Sequence, residues 1–244
     1  MLTLLVAATG TALVTGLGAI PVFMLGARAE VLRPALWGVA GGVMIVASMV
    51  GLVRPAIDEG SAATVTLGLV AGVLFLAITR SLLRGSDLHV GRLHGADVRT
   101  SVLVFAVLFA HSLPEGLAIG TAYASSTAGL GLFVILAIAI QNIPEGTSIA
   151  IPMEASGFNR TQQLWAAIAT SAPQPVGALI AFVAVEQVTG LLPVSFAFAA
   201  GAMLALVAAE LLPGALAARG RAIGAAGLGA GVALMLGLSA LLRV

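Results

Sequence analysis

The sequence predicts an all-α integral membrane protein that crosses the bilayer eight times. Three observations carry this expectation. Of the 244 residues, 60% are apolar, against about 45–50% in soluble domains. Only 9% are charged, where about 25% is usual. The apolar residues gather into eight runs, each close to the ~20 residues a helix needs to cross the hydrocarbon core. A soluble domain of this size must cover itself with polar groups. The composition therefore excludes a soluble enzyme, a nucleic-acid binder and a disordered scaffold, and the crossings are expected to fill residues 1–244 as one transmembrane domain.

The first run, 2–24, has no basic segment ahead of it and no clear cleavage site after it, so a retained crossing is expected rather than a signal peptide. The second, 34–54, is flanked by Arg33 and Arg54, and the third covers 61–83. The longest connection follows, 84–99, RGSDLHVGRLHGADVR. The fourth and fifth runs, 100–123 and 127–153, are joined by so short a turn that they must be antiparallel neighbours. Runs 163–186, 190–214 and 221–243 complete the set with brief connections.

Charge placement sets the direction. All eleven basic residues are Arg. Nine of them (Arg28, Arg33, Arg80, Arg84, Arg92, Arg99, Arg160, Arg219 and Arg221) flank the connections after runs 1, 3, 5 and 7, while the other side has Arg54 and Arg243. Basic residues mark the cytoplasmic side. Both termini are thus expected outside the cytoplasm, loop 84–99 within it, and the whole in the cytoplasmic (inner) membrane, in contact with lipid. The absence of Cys excludes disulfides and thiolate metal sites. Gly68/Gly72 and Gly227/Gly231 have GxxxG spacing, read here as close packing within the chain. Trp37 and Trp165 are read as interfacial anchors.

Ionisable groups at mid-membrane cost at least a few kcal/mol each and point to function. Run 4 carries His111-Ser112-Leu113-Pro114-Glu115-Gly116, and run 5 carries Gln141-Asn142-Ile143-Pro144-Glu145-Gly146. In each, two ligand-capable residues stand four apart, on one helix face. Both pairs lie near the middle of antiparallel neighbours, so His111, Glu115, Gln141 and Glu145 are expected to converge. Pro114 and Pro144 lack an N–H and should free the carbonyls of Ala110 and Ile140, giving a kinked turn suited to a cation. One imidazole, two carboxylates and an amide form a mixed N/O set for a divalent transition metal. Zn²⁺ suits it best, with Fe²⁺, Mn²⁺, Co²⁺ and Cd²⁺ as alternatives. Two carboxylates balance the charge of the ion.

At HSLPEG and QNIPEG the chain resembles the ZIP (Zrt-/Irt-like protein) family of divalent-metal transporters, in particular its GufA-like bacterial branch. The resemblance extends to Gly41–Pro55, to SAPQPVGALI at 171–180 and to GAMLALVAAELLP at 201–213. It implies transport, not enzymology, through a primary metal site of His111, Glu115, Gln141 and Glu145. It also implies eight helices in a 3+2+3 plan with inverted-repeat triplets, alternating access, and a homodimer. A second, adjacent site is implied at Ser112, Asn142 and Gln174, where the family commonly has Asn, Asp and Glu. Two carboxylates are amides here, so one metal per protomer is expected. Glu210 aligns with an acidic position near the family's inner exit, or is an interfacial Glu near a helix end. Asp58 and Glu59 lie at the outer mouth, as cation attractors or as a solvated loop. His89 and His94 are read as plain loop residues.

Three rivals stand beside uptake. A membrane metallohydrolase is opposed by the absence of HExxH. A metal-binding sensor or pseudo-transporter would explain the missing second-site acids, and efflux would use the same site in the other direction.

Overall fold

The computed structural model describes residues 1–85, 96–218 and 220–244. Among the described residues there is no strand, and eight helices are long and apolar enough to cross a membrane. They are α1 (Leu2–Leu25), α2 (Arg28–Glu59), α3 (Ala62–Leu83), α4 (Val104–Ala124), α5 (Leu130–Ala155), α6 (Arg160–Gln187), α7 (Leu192–Ala215) and α8 (Arg221–Leu242). The chain is a multi-pass, all-helical membrane protein. His89, His94, Arg92 and Arg219 lie outside the described residues.

Several spans change pitch where proline or glycine falls. α1 tightens to a 3-10 turn over Gly16–Ala19 and resumes at Ile20–Leu25, with Pro21 in the first turn. α6 consists of Arg160–Thr170 and Pro173–Gln187. Pro173 and Pro175 cannot donate into the preceding turn, so the helix restarts there, where proline costs least. The start of α6 is fixed by a capping box. The Gln162 amide N–H donates to Asn159 Oδ1 and the Asn159 N–H donates to Gln162 Oε1, both at 2.9 Å. α2 and α7 each widen to a π turn, Met49–Val53 and Val207–Leu211, just ahead of Pro55 and Pro213. Each π turn contains the residue four before its proline, whose carbonyl the pyrrolidine ring would otherwise strike.

α8 packs chiefly on α2, α3 on α7, and α4 on α6. α5 lies against α1, α2 and α4, and α4 also meets α7. Both GxxxG pairs serve contacts within the chain, as expected. A Cβ at Gly68 would lie 2.6 Å from that of Ala197, and Gly72 faces the Phe198 carbonyl. Gly227 and Gly231 face the carbonyls of Ala35 and Val39. α3 and α8 are the least buried spans, and Leu67, Leu82 and Leu241 point outward from them. Such apolar surface belongs against lipid tails. The main core joins Leu4, Met44, Leu52, Ile119, Phe133 and Phe196.

Trp37 is half-buried near the Arg-bearing end of α2. Its indole N–H donates to Ser148 Oγ at 2.6 Å, Arg33 stacks on its ring, and it lines an internal cavity. Trp165 is 60% exposed.

Candidate metal centre

Two helix faces build the centre. α4 supplies His111 and Glu115, and α5 supplies Gln141 and Glu145, all buried. Pro114 and Pro144 sit inside continuous helices, Ala96–Ala124 and Leu130–Ala155. Neither proline breaks its helix. One missing N–H is absorbed where neighbouring helices pack tightly on the segment, so the side chains stand on helix faces with their positions fixed.

Close approach is secured by the glycine that follows each glutamate. Gly116 rests on the backbone of Gln174 in α6, and Gly177 returns the contact, its Cβ position 3.2 Å from the Gly116 Cα. Gly146 rests on the Thr15 carbonyl in α1, with Gly18 seated opposite against Ile143 and Thr147. Each PEG segment thereby carries its carboxylate to a tight helix crossing.

His111, Glu115 and Glu145 each bring a ligand atom within 4.8 Å of the others. His111 Nε2 lies 3.6 Å from Glu115 Oε1, beyond hydrogen-bond reach, and the Gln141 amide N–H donates to that same oxygen. Four buried atoms here have no hydrogen-bond partner, namely both imidazole nitrogens, Gln141 Oε1 and Glu145 Oε1. Each such atom costs about 1–3 kcal/mol when buried alone. Their grouping around two carboxylates is the arrangement expected of a cation site, in which a metal would take one imidazole nitrogen, the Gln141 amide oxygen and the free Glu145 oxygen together. Among the described residues this is the one cluster of three or more His, Cys, Asp or Glu able to hold an ion.

Beside it lie Ser112, Asn142 and Gln174, also buried. Their amides are already engaged. Gln174 Nε2 donates to Glu115 Oε2 at 2.7 Å, and Gln174 and Asn142 exchange two N–H···O bonds at 3.2 Å. Asn142 Nδ2 also donates to the Thr11 carbonyl at 2.8 Å, and the Thr11 hydroxyl lies 2.9 Å from Gln174 Oε1. Thr15 and Ser171 share a hydrogen bond at 2.7 Å. The sequence reading missed Thr11. Its only signal was a hydroxyl four residues before Thr15, on a helix that also carries Thr3 and Thr9.

A cavity of about 460 Å³ is lined by Glu145 and Ser148 on α5 and, towards the Arg-bearing end of the bundle, by Glu30, Arg33, Arg80 and Glu210. Glu210 Oε1 receives the Arg80 Nε–H at 3.2 Å, and Arg33 pairs with Glu30. Asp58 and Glu59 are exposed at the opposite end of α2, around a separate pocket of about 260 Å³ with Arg54 and Arg243. The structure thus brings together the quartet and the three second-site positions, places Glu210 on the cavity that reaches Glu145, and leaves Asp58 and Glu59 apart.

Residues 82–239 match the family of ZIP zinc transporters. The zinc transporter GufA of Myxococcus xanthus is 32% identical over 203 residues, covering 78% of this chain and 78% of GufA. A putative zinc transporter of Arabidopsis thaliana is 34% identical over 208 residues, 82% of this chain; the matched stretch spans only 32% of the plant protein. The zinc transporter ZIPB of Bordetella bronchiseptica is 32% identical over 184 residues, 68% of this chain and 57% of that protein. All three carry the name of a transporter and none that of an enzyme. With its eight apolar helices, the chain belongs to the ZIP zinc transporter family.

Proposed function

We propose that the protein moves Zn²⁺, or a divalent ion of similar chemistry such as Cd²⁺, Fe²⁺, Mn²⁺ or Co²⁺, into the cytoplasm through His111, Glu115, Gln141 and Glu145. The observation that carries this reading is the set of unpartnered ligand atoms beside two carboxylates, with Glu145 on a cavity that extends to Glu30, Arg33, Arg80 and Glu210. The zinc-transporter names of the relatives agree with it. The arginines at the cavity end support placing that side in the cytoplasm, with both termini opposite. The structure then corresponds to an inward-facing state of an alternating-access cycle.

The 3+2+3 plan is part of this reading. Exchanging α1–α3 with α6–α8, and α4 with α5, turns the α2–α8 contact into α7–α3, α4–α6 into α5–α1, and α2–α5 into α7–α4, all of which occur. The matched π turns of α2 and α7 support the same exchange. A homodimer in the inner membrane completes the proposal, with the weakly buried α3 and α8 offering surface for it.

The test is radioactive zinc uptake into proteoliposomes, with Cd²⁺, Mn²⁺, Fe²⁺ and Co²⁺ as competitors. Wild type should show saturable flux that His111→Ala abolishes. Binding without flux would identify a sensor, and flux only from the cytoplasmic face would identify an exporter.

We also propose a single ion per protomer. The engaged amides of Asn142 and Gln174 supply no charge for a second cation. Asn142→Asp together with Gln174→Glu should raise the bound zinc from one to two per chain by elemental analysis. A ratio that stays at one would count against the second-site alignment.

A further inference from the structure

The proposed centre leaves unused the most completely hydrogen-bonded side chain near it. Gln174 is fully buried, and both ends of its amide are occupied. An ionised Glu115 can only accept, so the atom 2.7 Å from its Oε2 must be the Gln174 nitrogen. That fixes the amide oxygen toward α1 and α5, where it meets the Thr11 hydroxyl at 2.9 Å and Asn142 Nδ2 at 3.2 Å. The amide therefore cannot turn over without losing its bond to Glu115.

The consequence falls on Glu115. Its Oε1 faces His111 and Gln141, while its Oε2 is turned away and held by a neutral donor. A cation among the quartet receives one oxygen from this carboxylate, not two. Four donors with one-oxygen carboxylates match Zn²⁺, which accepts tetrahedral coordination. Larger ions that gain from additional oxygens and two-oxygen carboxylates are left short.

We propose that Gln174, steered by the Thr11 hydroxyl, is a positioning residue that holds Glu115 to one-oxygen coordination and so favours small four-coordinate ions over larger ones. This inference rests on the transport-site reading above and adds a residue of α1 to it.

The test uses the full purified chain and measures apparent Kd for Zn²⁺, Cd²⁺ and Mn²⁺ by competition with a calibrated chelator. X-ray absorption of the Cd²⁺-loaded protein counts its ligands. Gln174→Met has similar volume but cannot donate to Glu115. It should shift the Cd²⁺ and Mn²⁺ preference relative to Zn²⁺ by about tenfold, as loss of a partner behind a ligand commonly does, and should add an oxygen around Cd²⁺. Thr11→Val should move the ratio the same way by less, and Thr11→Ser, which keeps the hydroxyl, should return it to the wild-type value. A ratio within about twofold of wild type in a folded, zinc-binding Gln174→Met overturns the inference, since loss of a partner that sets ligand geometry should cost more. If Gln174→Met does not fold, an unchanged ratio in Thr11→Val overturns it instead. A folded wild type that binds none of these ions overturns the transport-site reading itself.

Discussion

Glu145→Ala should abolish high-affinity metal binding. Glu145 is buried on α5, one of its oxygens has no hydrogen-bond partner, and the other carboxylate of the centre is within ligand reach. Its removal takes away one donor and half of the negative charge opposing a divalent ion. Breaking one side of a buried charge pair costs about 3–5 kcal/mol, which is about two to four orders of magnitude in Kd. Glu145→Gln keeps an oxygen and the shape but not the charge, and should fall between alanine and wild type. Calorimetric titration of detergent-solubilised protein reads both. Wild-type affinity in Glu145→Ala would refute the site assignment.

The other large effect is structural. Gly146→Val should prevent stable folding, because its side chain would enter the Thr15 carbonyl across the α1–α5 crossing. Backbone cannot yield as a flexible side chain does, so the helices must separate along much of their length. Overpacking of this kind costs about 3 kcal/mol or more. Gly10→Val is the matched control, since a Cβ at Gly10 meets nothing within 4 Å. Thermal melting followed by size-exclusion chromatography should show Gly10→Val near wild type and Gly146→Val aggregated at low temperature. Equal melting of the two would mean that α1 and α5 do not cross as closely as described.

Much of this was legible in the sequence for definite reasons. Hydrocarbon leaves little choice but helix for an apolar run of this length, so the eight crossings could be read from composition alone. The convergence of His111, Glu115, Gln141 and Glu145 could be read because two i, i+4 pairs sit near the middle of neighbours forced together by a short turn. What stayed hidden depends on helices distant in sequence. Thr11 and Gln174 are 163 positions apart, and nothing in the periodicity of α1 says that its hydroxyl faces α6. The Arg80–Glu210 pair likewise needs the α3–α7 contact to be known. The runs 100–123 and 127–153 pass straight through Pro114 and Pro144, and both helices are continuous there. The π turns of α2 and α7 had a readable cue in Pro55 and Pro213, but not one that separates a widened turn from a kink.

The hydrogen bonds to Glu115 from Gln141 and Gln174 come from neutral amides, and this has an electrical consequence. With a divalent ion aboard, the two carboxylates and the ion sum to zero. Without it, and without protons in its place, the same helices carry two negative charges. A membrane potential acts on net charge, at about 2.3 kcal/mol per charge for each 100 mV. In a carrier whose site moves with its helices, voltage would therefore do little to the loaded step. It would act on the empty return, where an inside-negative potential pushes the uncovered carboxylates outward and resets the carrier for its next ion.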